Sequence, residues 1–141
     1  MPLITPKISN PNVVQSVSAV LASDKTTTST TFSTMLSLPI TMVGSTNLLI
    51  WISYCVTFTP SVSNDCRLRL RIDSTVILFA GEEEFTTAQS GAIVHRQVGL
   101  SAAAHTIDLQ WRIGTAGEGT LRCRPSISPE GLSIFAVEVR V

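Results

Sequence analysis

Charged side chains are scarce in this sequence, and their scarcity narrows the classes of protein it can belong to. Only 10 Lys and Arg and 10 Asp and Glu occur among 141 residues, and they cancel to a formal net charge of zero. A balanced chain has no long-range basic field that would gather phosphates or anionic lipids. We therefore expect no nucleic acid as a main partner.

Long apolar runs are also missing. No uninterrupted apolar run is longer than that from Leu48 to Ile52, which is far shorter than the roughly 20 residues that a helix needs to cross a bilayer. We expect no membrane partner.

Residues that carry catalysis or bind metals are few. The only imidazoles are His95 and His105, both in strand-like segments, and no nucleophile elbow, zinc-protease, phosphate-loop or dinucleotide motif occurs. Three cysteines, Cys55, Cys66 and Cys123, show no CxxC spacing, so we expect free thiols or, alternatively, a Cys55–Cys66 bridge. The sequence predicts no catalytic residue, no cofactor and no metal ion, and hence no enzyme.

What the chain does contain favours strands. Ser and Thr together number 34, and apolar residues alternate with polar ones in segment after segment, with turn residues between them. About eight such segments are present, and none has the 3.6-residue period of a helix. The pattern predicts an all-β protein, a two-sheet antiparallel β-sandwich. Pro39 cannot donate a ladder hydrogen bond, so its strand is expected at a sheet edge or beside a bulge.

Two segments supply candidate interface residues within the domain. In the segment from Leu48 to Phe58 one face is apolar throughout, and the other begins with Leu49 and Trp51, which predicts cover by sheet packing or by a neighbouring subunit. In the segment from residue 67 to residue 73, Leu and Ile alternate with Arg67, Arg69 and Arg71. This arginine face would suit phosphate, an acidic carbohydrate or a neighbour's carboxylates, or it keeps the surface soluble.

The N-terminal region and the acidic run are predicted to be irregular. Pro2, Pro6 and Pro11 disfavour a helix or a central strand, so we expect an extended arm over residues 1–25 and a domain over residues 26–141. Residues 13–20 could instead form the first strand of the domain. The apolar residues of the arm that could contact another subunit are Ile4, Ile8, Val13 and Val14. The segment 81–91, with its three consecutive glutamates, is predicted to be a solvated loop.

Three stretches together resemble a known family: Thr26 to Phe32, Val98 to Arg112 and Ser128 to Glu138. They are similar to the β-sandwich domains of tailed-bacteriophage virion proteins and related prophage proteins, which resemble the C1q/TNF type of jelly roll. The resemblance covers roughly residues 26–141. It implies a jelly-roll-like sandwich that forms a homotrimer, with one sheet lining the trimer axis.

The resemblance also implies a role in the virion. Such domains occur as head decoration or cement proteins that bind the major capsid protein, and as tail-fibre tips that bind receptors. Because only about 25 residues precede the domain in this sequence, we expect a decoration protein that is assembled into the virion in the host cytoplasm. The alternatives are a tail-fibre tip or other module that binds a surface glycan, and a carbohydrate-binding or hydrolytic sandwich of another class.

Overall fold

The computed structural model describes residues 12–44, 46–59, 64–85, 88–115, 119–126 and 131–140. Within these ranges every regular element is a β-strand, which confirms the predicted fold class. The ten strands are β1 (Val13–Val20), β2 (Lys25–Thr27), β3 (Ser33–Thr41), β4 (Thr46–Thr59), β5 (Asn64–Ile72), β6 (Thr75–Phe85), β7 (Ala88–Leu100), β8 (Ala104–Ile113), β9 (Thr120–Cys123) and β10 (Gly131–Val139).

The strands form two antiparallel sheets. In sheet A, β4 pairs with β7 on one side and with β10 and β9 on the other, and beyond these lie β1 and β2. Sheet B has the order β3-β8-β5-β6. Along the chain, the strands of sheet B alternate with those of sheet A: β3, the pair β5–β6, and β8 are each followed by a strand of sheet A. The connections therefore cross repeatedly from one sheet to the other. This is the arrangement of a jelly roll.

Two of the strand positions in sheet A are interrupted, so ten strands occupy eight positions. Residue pairs Leu132 with Tyr54 and Arg122 with Thr57 place β10 and β9 end to end along the same side of β4. On their far side β1 and β2 follow one another in the same way, and the connection between them donates a hydrogen bond from Leu21 N to Leu132 O on β10. The predicted number of about eight strands is confirmed in this sense.

The core lies between the sheets and follows from period-two alternation. The inward residues of β4 and of β8 are almost completely buried: Leu48, Ile50, Ile52 and Val56 on β4, and Ile107, Leu109, Trp111 and Ile113 on β8. Leu68, Leu70 and Ile72 do the same on β5, with the arginines between them facing outward. Burying these side chains supplies the main stabilisation, at about 25 cal/mol per Å² of apolar surface.

Two sequence predictions concern strands at the edges of the sheets: the position of Pro39 was correct, and the loop at 81–91 was not. Pro39 lies on β3, which is the edge strand of sheet B and has a register shift between Thr34 and Leu36, as predicted. The loop predicted at 81–91 is wrong for most of its length, because β6 continues to Phe85 and β7 begins at Ala88. The backbone of Glu82 pairs with that of Arg67 on β5, so the ladder of sheet B continues through the acidic run.

The domain boundary predicted at residue 25 does not coincide with a break in the structure. Val13–Val20 form β1, whose backbone pairs with β10 from Val139 to Ser133, and Leu21 is buried in the core. Of the two interpretations of residues 13–20, the first strand of the domain is therefore the one that the structure shows. Apolar residues at 17 and 19 pack against the core, which an arm would not require.

A buried carboxylate fastens the end of the sandwich where β1 begins and β10 ends. Glu138 is fully buried and accepts hydrogen bonds from the backbone N–H groups of Val43, at 3.0 Å, and Gly44, at 3.2 Å. The side-chain amide of Gln15 donates to the same carboxylate. The contact joins β1, β10 and the connection between β3 and β4, which a residue with no acceptor could not do.

Candidate interaction surface

The outer face of sheet A is almost without charge. Four rows cross its strands around the centre, set by the backbone pairing: Ser16, Val137, Leu49 and Arg96; Ser18, Phe135, Trp51 and Val94; Val20, Ser133, Ser53 and Ala92; Gly131, Cys55 and Ser90. Arg96 is the single charged residue in these four rows, and a further row toward the other end of β4, with Thr26, Arg122 and Thr57, adds Arg122. The structure thus brings the predicted interface residues Leu49 and Trp51 onto a smooth face of small and apolar side chains.

An aromatic pair lies at the centre of this face. The rings of Trp51 and Phe135 are 5.7 Å apart, centroid to centroid, and are tilted by 40°. Trp51 is 38% exposed, Phe135 is 42% exposed, and the neighbouring Val94 is 66% exposed. Two aromatic rings left open to water on central strands are unusual for a protein that works alone. The sequence indicated Trp51 but not Phe135, whose partner strand could not be known before the pairing of β4 with β10.

Beside the aromatic pair the face forms an open depression of about 510 Å³. The depression forms because the side chains that line it are mostly small. Its lining includes Ser53, Cys55, Ser90, Gly131 and Ser133, which expose hydroxyl groups, backbone and one thiol. Cys55 is half-buried and is not part of a disulfide, so the alternative, a Cys55–Cys66 bridge, is not formed.

The predicted arginine face lies on the opposite side of the molecule, on the outer face of sheet B. Arg71 forms an ion pair with Asp108, with 2.7 Å between Nη2 and Oδ2. Arg69 donates from Nε to Oε1 of Gln110 at 2.8 Å. Arg67 is half-buried and stands between Arg112 on β8 and Glu82 on β6. The sequence placed the three arginines on one face correctly, but Arg71 is already neutralised within the sheet.

Phe32 and Arg112 join this face, and sequence reasoning missed both. The Cζ atom of Arg69 lies 4.0 Å from the centroid of the Phe32 ring, and that of Arg112 lies 5.2 Å from it. Alternation had put Arg112 on the polar side of β8. Its meeting with Phe32 depends on pairing between segments about 80 residues apart, for which the sequence holds no local signal.

His105 links two connections at the end of sheet B. Its Nδ1 lies 2.9 Å from Oδ2 of Asp73, and its Nε2 lies 3.0 Å from the carbonyl oxygen of Ser101. Both partners are acceptors, so both ring nitrogens donate only in the imidazolium form. The hydrogen bond to Asp73, reinforced by that to Ser101, raises the pKa of His105, and the same bond lowers the pKa of Asp73. The arrangement braces the fold, as expected for a structural histidine.

The remaining predicted interface residues lie at the N-terminus. Ile4 and Ile8 are outside the described residues. Val13 is 42% exposed and Val14 is half-buried, both on the edge strand β1. In the ranges that the structure covers, no three His, Cys, Asp or Glu side chains are grouped so that they could hold a metal ion. The described residues also contain no helix with the length and apolarity needed to cross a membrane.

No protein-family model matches the sequence, and a search of curated proteins found no match. Solved structures do match. Dimeric latent PorU from Porphyromonas gingivalis superimposes with a TM-score of 0.51 at 6% identity, over 94% of this chain and 14% of that one. At such low identity the likeness shows a shared fold alone.

Two viral structures are similar at lower scores. The VP2 subviral particle of infectious bursal disease virus gives a TM-score of 0.46 at 15% identity, over 92% of this chain and 38% of that one. The Gx strain of the same virus gives 0.37 at 12% identity, over 92% and 35%. This chain therefore spans less than two fifths of each of the three chains. The chain is a jelly-roll β-sandwich whose fold is similar to that of a part of PorU.

Proposed function

We propose that the chain is a non-enzymatic structural protein of a virion, a head decoration or cement protein that forms a homotrimer and binds the major capsid protein. The observation that carries the proposal is the exposed pair of Trp51 and Phe135 on a nearly uncharged sheet face. The sequence resemblance to virion sandwich domains supplies the location, the virion, and the partner.

Self-association follows from the character of this face. Trp51 and Phe135 stay exposed on the central strands β4 and β10, and a closed symmetric oligomer is the usual way to bury such an apolar patch. The aromatic pair would form the core of the interface, surrounded by the small residues of the rows. In the family that the sequence resembles, one sheet lines a trimer axis, and sheet A is the sheet suited to that place.

The decisive measurement is light scattering behind a sizing column, which should report three copies. A matched pair of substitutions tests the face: Val94→Asp places a carboxylate beside Trp51, whereas Val76→Asp places one at another exposed valine, on β6 of sheet B. We expect Val94→Asp to yield monomers and Val76→Asp to remain trimeric. A monomeric wild type at micromolar concentration, or equal behaviour of the two variants, would refute the proposed interface.

A second function, a tail-fibre tip that binds a surface glycan, has one observation in its favour. The depression of about 510 Å³ next to the aromatic pair exposes serine hydroxyls, which could bind sugar hydroxyls beside an aromatic ring. Electron micrographs of virions with and without the protein separate the two functions. A decoration protein changes the surface of the head, whereas a fibre tip changes the tail.

A further inference from the structure

The outer face of sheet B holds two guanidinium groups on one aromatic ring. We call Arg69, Arg112 and Phe32 the arginine cluster. Both guanidinium carbons lie over the ring within 5.2 Å of its centroid, so each cation is attracted by the electron-rich face of the ring. The same geometry places two positive charges close together, and like charges repel. The sheet therefore holds the two side chains in place against their mutual repulsion.

Most of the hydrogen-bonding capacity of the cluster is unused. A guanidinium carries five N–H donors. Arg69 donates from Nε to Gln110, and among the described residues its two Nη groups make no hydrogen bond. Arg112 donates from Nη1 to the carbonyl oxygen of Thr30 at 3.2 Å, and its buried Nε has no acceptor. The arrangement fixes the direction of both side chains while it leaves planar pairs of donors available.

The cluster also differs from its neighbour Arg71 in charge balance. Arg71 is paired with Asp108, whereas no carboxylate among the described side chains pairs with Arg69 or Arg112. Burial and, after it, the charges of Arg71 and Arg112 lower the pKa of Arg69, the direction expected for a cation that lacks a counter-ion. Arg67 pairs with Glu82 in the strand register of β5 and β6, and it is not counted in the arginine cluster.

We propose that the arginine cluster docks a carboxylate-bearing surface of another protein. The free fork of Arg69 matches the two oxygens of a carboxylate, and Arg112 adds a second positive charge beside it. A nucleic acid fits less well, because the net charge of the chain is zero and Arg69 already covers the face of Phe32 that could stack on a base. The inference rests on the proposed function only for the identity of the partner, which would be an acidic patch of the shell.

The test uses a fluorescein-labelled oligoglutamate peptide and the full chain, with binding followed by fluorescence anisotropy at low salt. We expect the variant Arg69→Gln/Arg112→Gln to bind the peptide at least about tenfold more weakly than wild type. The control Lys25→Gln/Arg140→Gln removes the same charge from two exposed positions outside both the cluster and the proposed trimer interface, on β2 and after β10, and should bind like wild type. Binding by the wild type should weaken as salt is added.

Geometry and charge are separated by Arg69→Lys, which keeps the cation and loses the fork. It should bind more weakly than wild type and more tightly than the double variant. No binding of oligoglutamate by wild type, equal losses in the test and control variants, or tighter cluster-dependent binding of a single-stranded oligonucleotide would overturn the inference. Thermal melting shows that each variant is folded.

Light scattering on the same samples keeps this inference distinct from self-association. If the protein is a trimer that does not bind the peptide, only the docking inference is refuted. If it is a monomer that binds the peptide through the arginine cluster, only the proposed trimer is refuted.

Discussion

The aromatic pair gives the sharpest prediction about the proposed trimer. Replacing both rings, as Trp51→Ser/Phe135→Ser, removes the apolar centre of the outer face of sheet A. Fully burying an aromatic side chain covers roughly 150–250 Å². With 38% of Trp51 and 42% of Phe135 exposed, association would cover about 60–105 Å² of each ring, taken at those fractions of that range.

The energy that corresponds to this area is large for one contact. The two rings together would lose about 120–200 Å² of exposed surface, and at about 25 cal/mol per Å² this contributes about 3–5 kcal/mol for each copy. Since about 1.4 kcal/mol is a factor of ten, the double variant should dissociate at concentrations at least about a hundredfold higher than wild type does. The single change Trp51→Phe keeps most of the apolar area and should associate nearly as well.

Mass photometry and sedimentation equilibrium over a range of concentrations measure the dissociation directly. Tryptophan fluorescence gives a second signal, because Trp111 is buried in the core at 2% exposure and Trp51 is the other tryptophan. Acrylamide should quench Trp51 in the monomer and not in the trimer, with Trp111 as an internal reference. If the double variant associates at the same concentration as wild type, the outer face of sheet A is not the interface and the reasoning fails.

The sequence predicted the strands best where alternation is uninterrupted. The segment from Arg67 to Ile72 and the segment from His105 to Ile113 both have buried Leu, Ile or Trp at every second residue, and the structure places them as β5 and β8. Local patterning suffices here because each residue's face depends only on its own strand.

Errors arose where a residue's environment is set by a distant segment. Glu82 was assigned to a solvated loop because consecutive glutamates favour water, yet its strand partner is Arg67. Glu138 occupies an inward position of β10, and its carboxylate accepts hydrogen bonds from the backbone N–H groups of residues 43 and 44, about 95 positions earlier. No local pattern reports such a contact, because it depends on which connection closes that end of the sandwich.

The candidate site was predicted in part for the same reason. Trp51 could be identified from its own strand, since an aromatic residue on the second face of a central strand needs cover. Phe135 and Arg112 could be recognised only after pairing had placed them next to Trp51 and Arg69. The sequence thus indicated Trp51 and Arg69, and the topology of the sheets was needed to find their neighbours Phe135 and Arg112.

Two further predictions concern the stability of the single chain. Glu138→Ala should lower the free energy of unfolding in urea by about 3–5 kcal/mol, because it leaves two backbone N–H groups unpaired and opens a cavity, whereas Glu138→Gln should lose less; a loss below about 1 kcal/mol would contradict the assigned role. The second prediction is a pH dependence from His105. Its folded-state pKa lies above the unfolded value of 6.5, so its contribution is fully present below that pH and is lost as pH rises through the folded pKa. Asp73, with a lowered pKa, acts oppositely and loses its contribution only in acid, below its unfolded value of 3.8. Wild type should therefore become less stable as pH rises above about 6.5, as measured by urea unfolding. His105→Gln cannot titrate, so its stability should change less over the same range, and an identical pH profile for the two proteins would show that the imidazolium is not what holds these connections together.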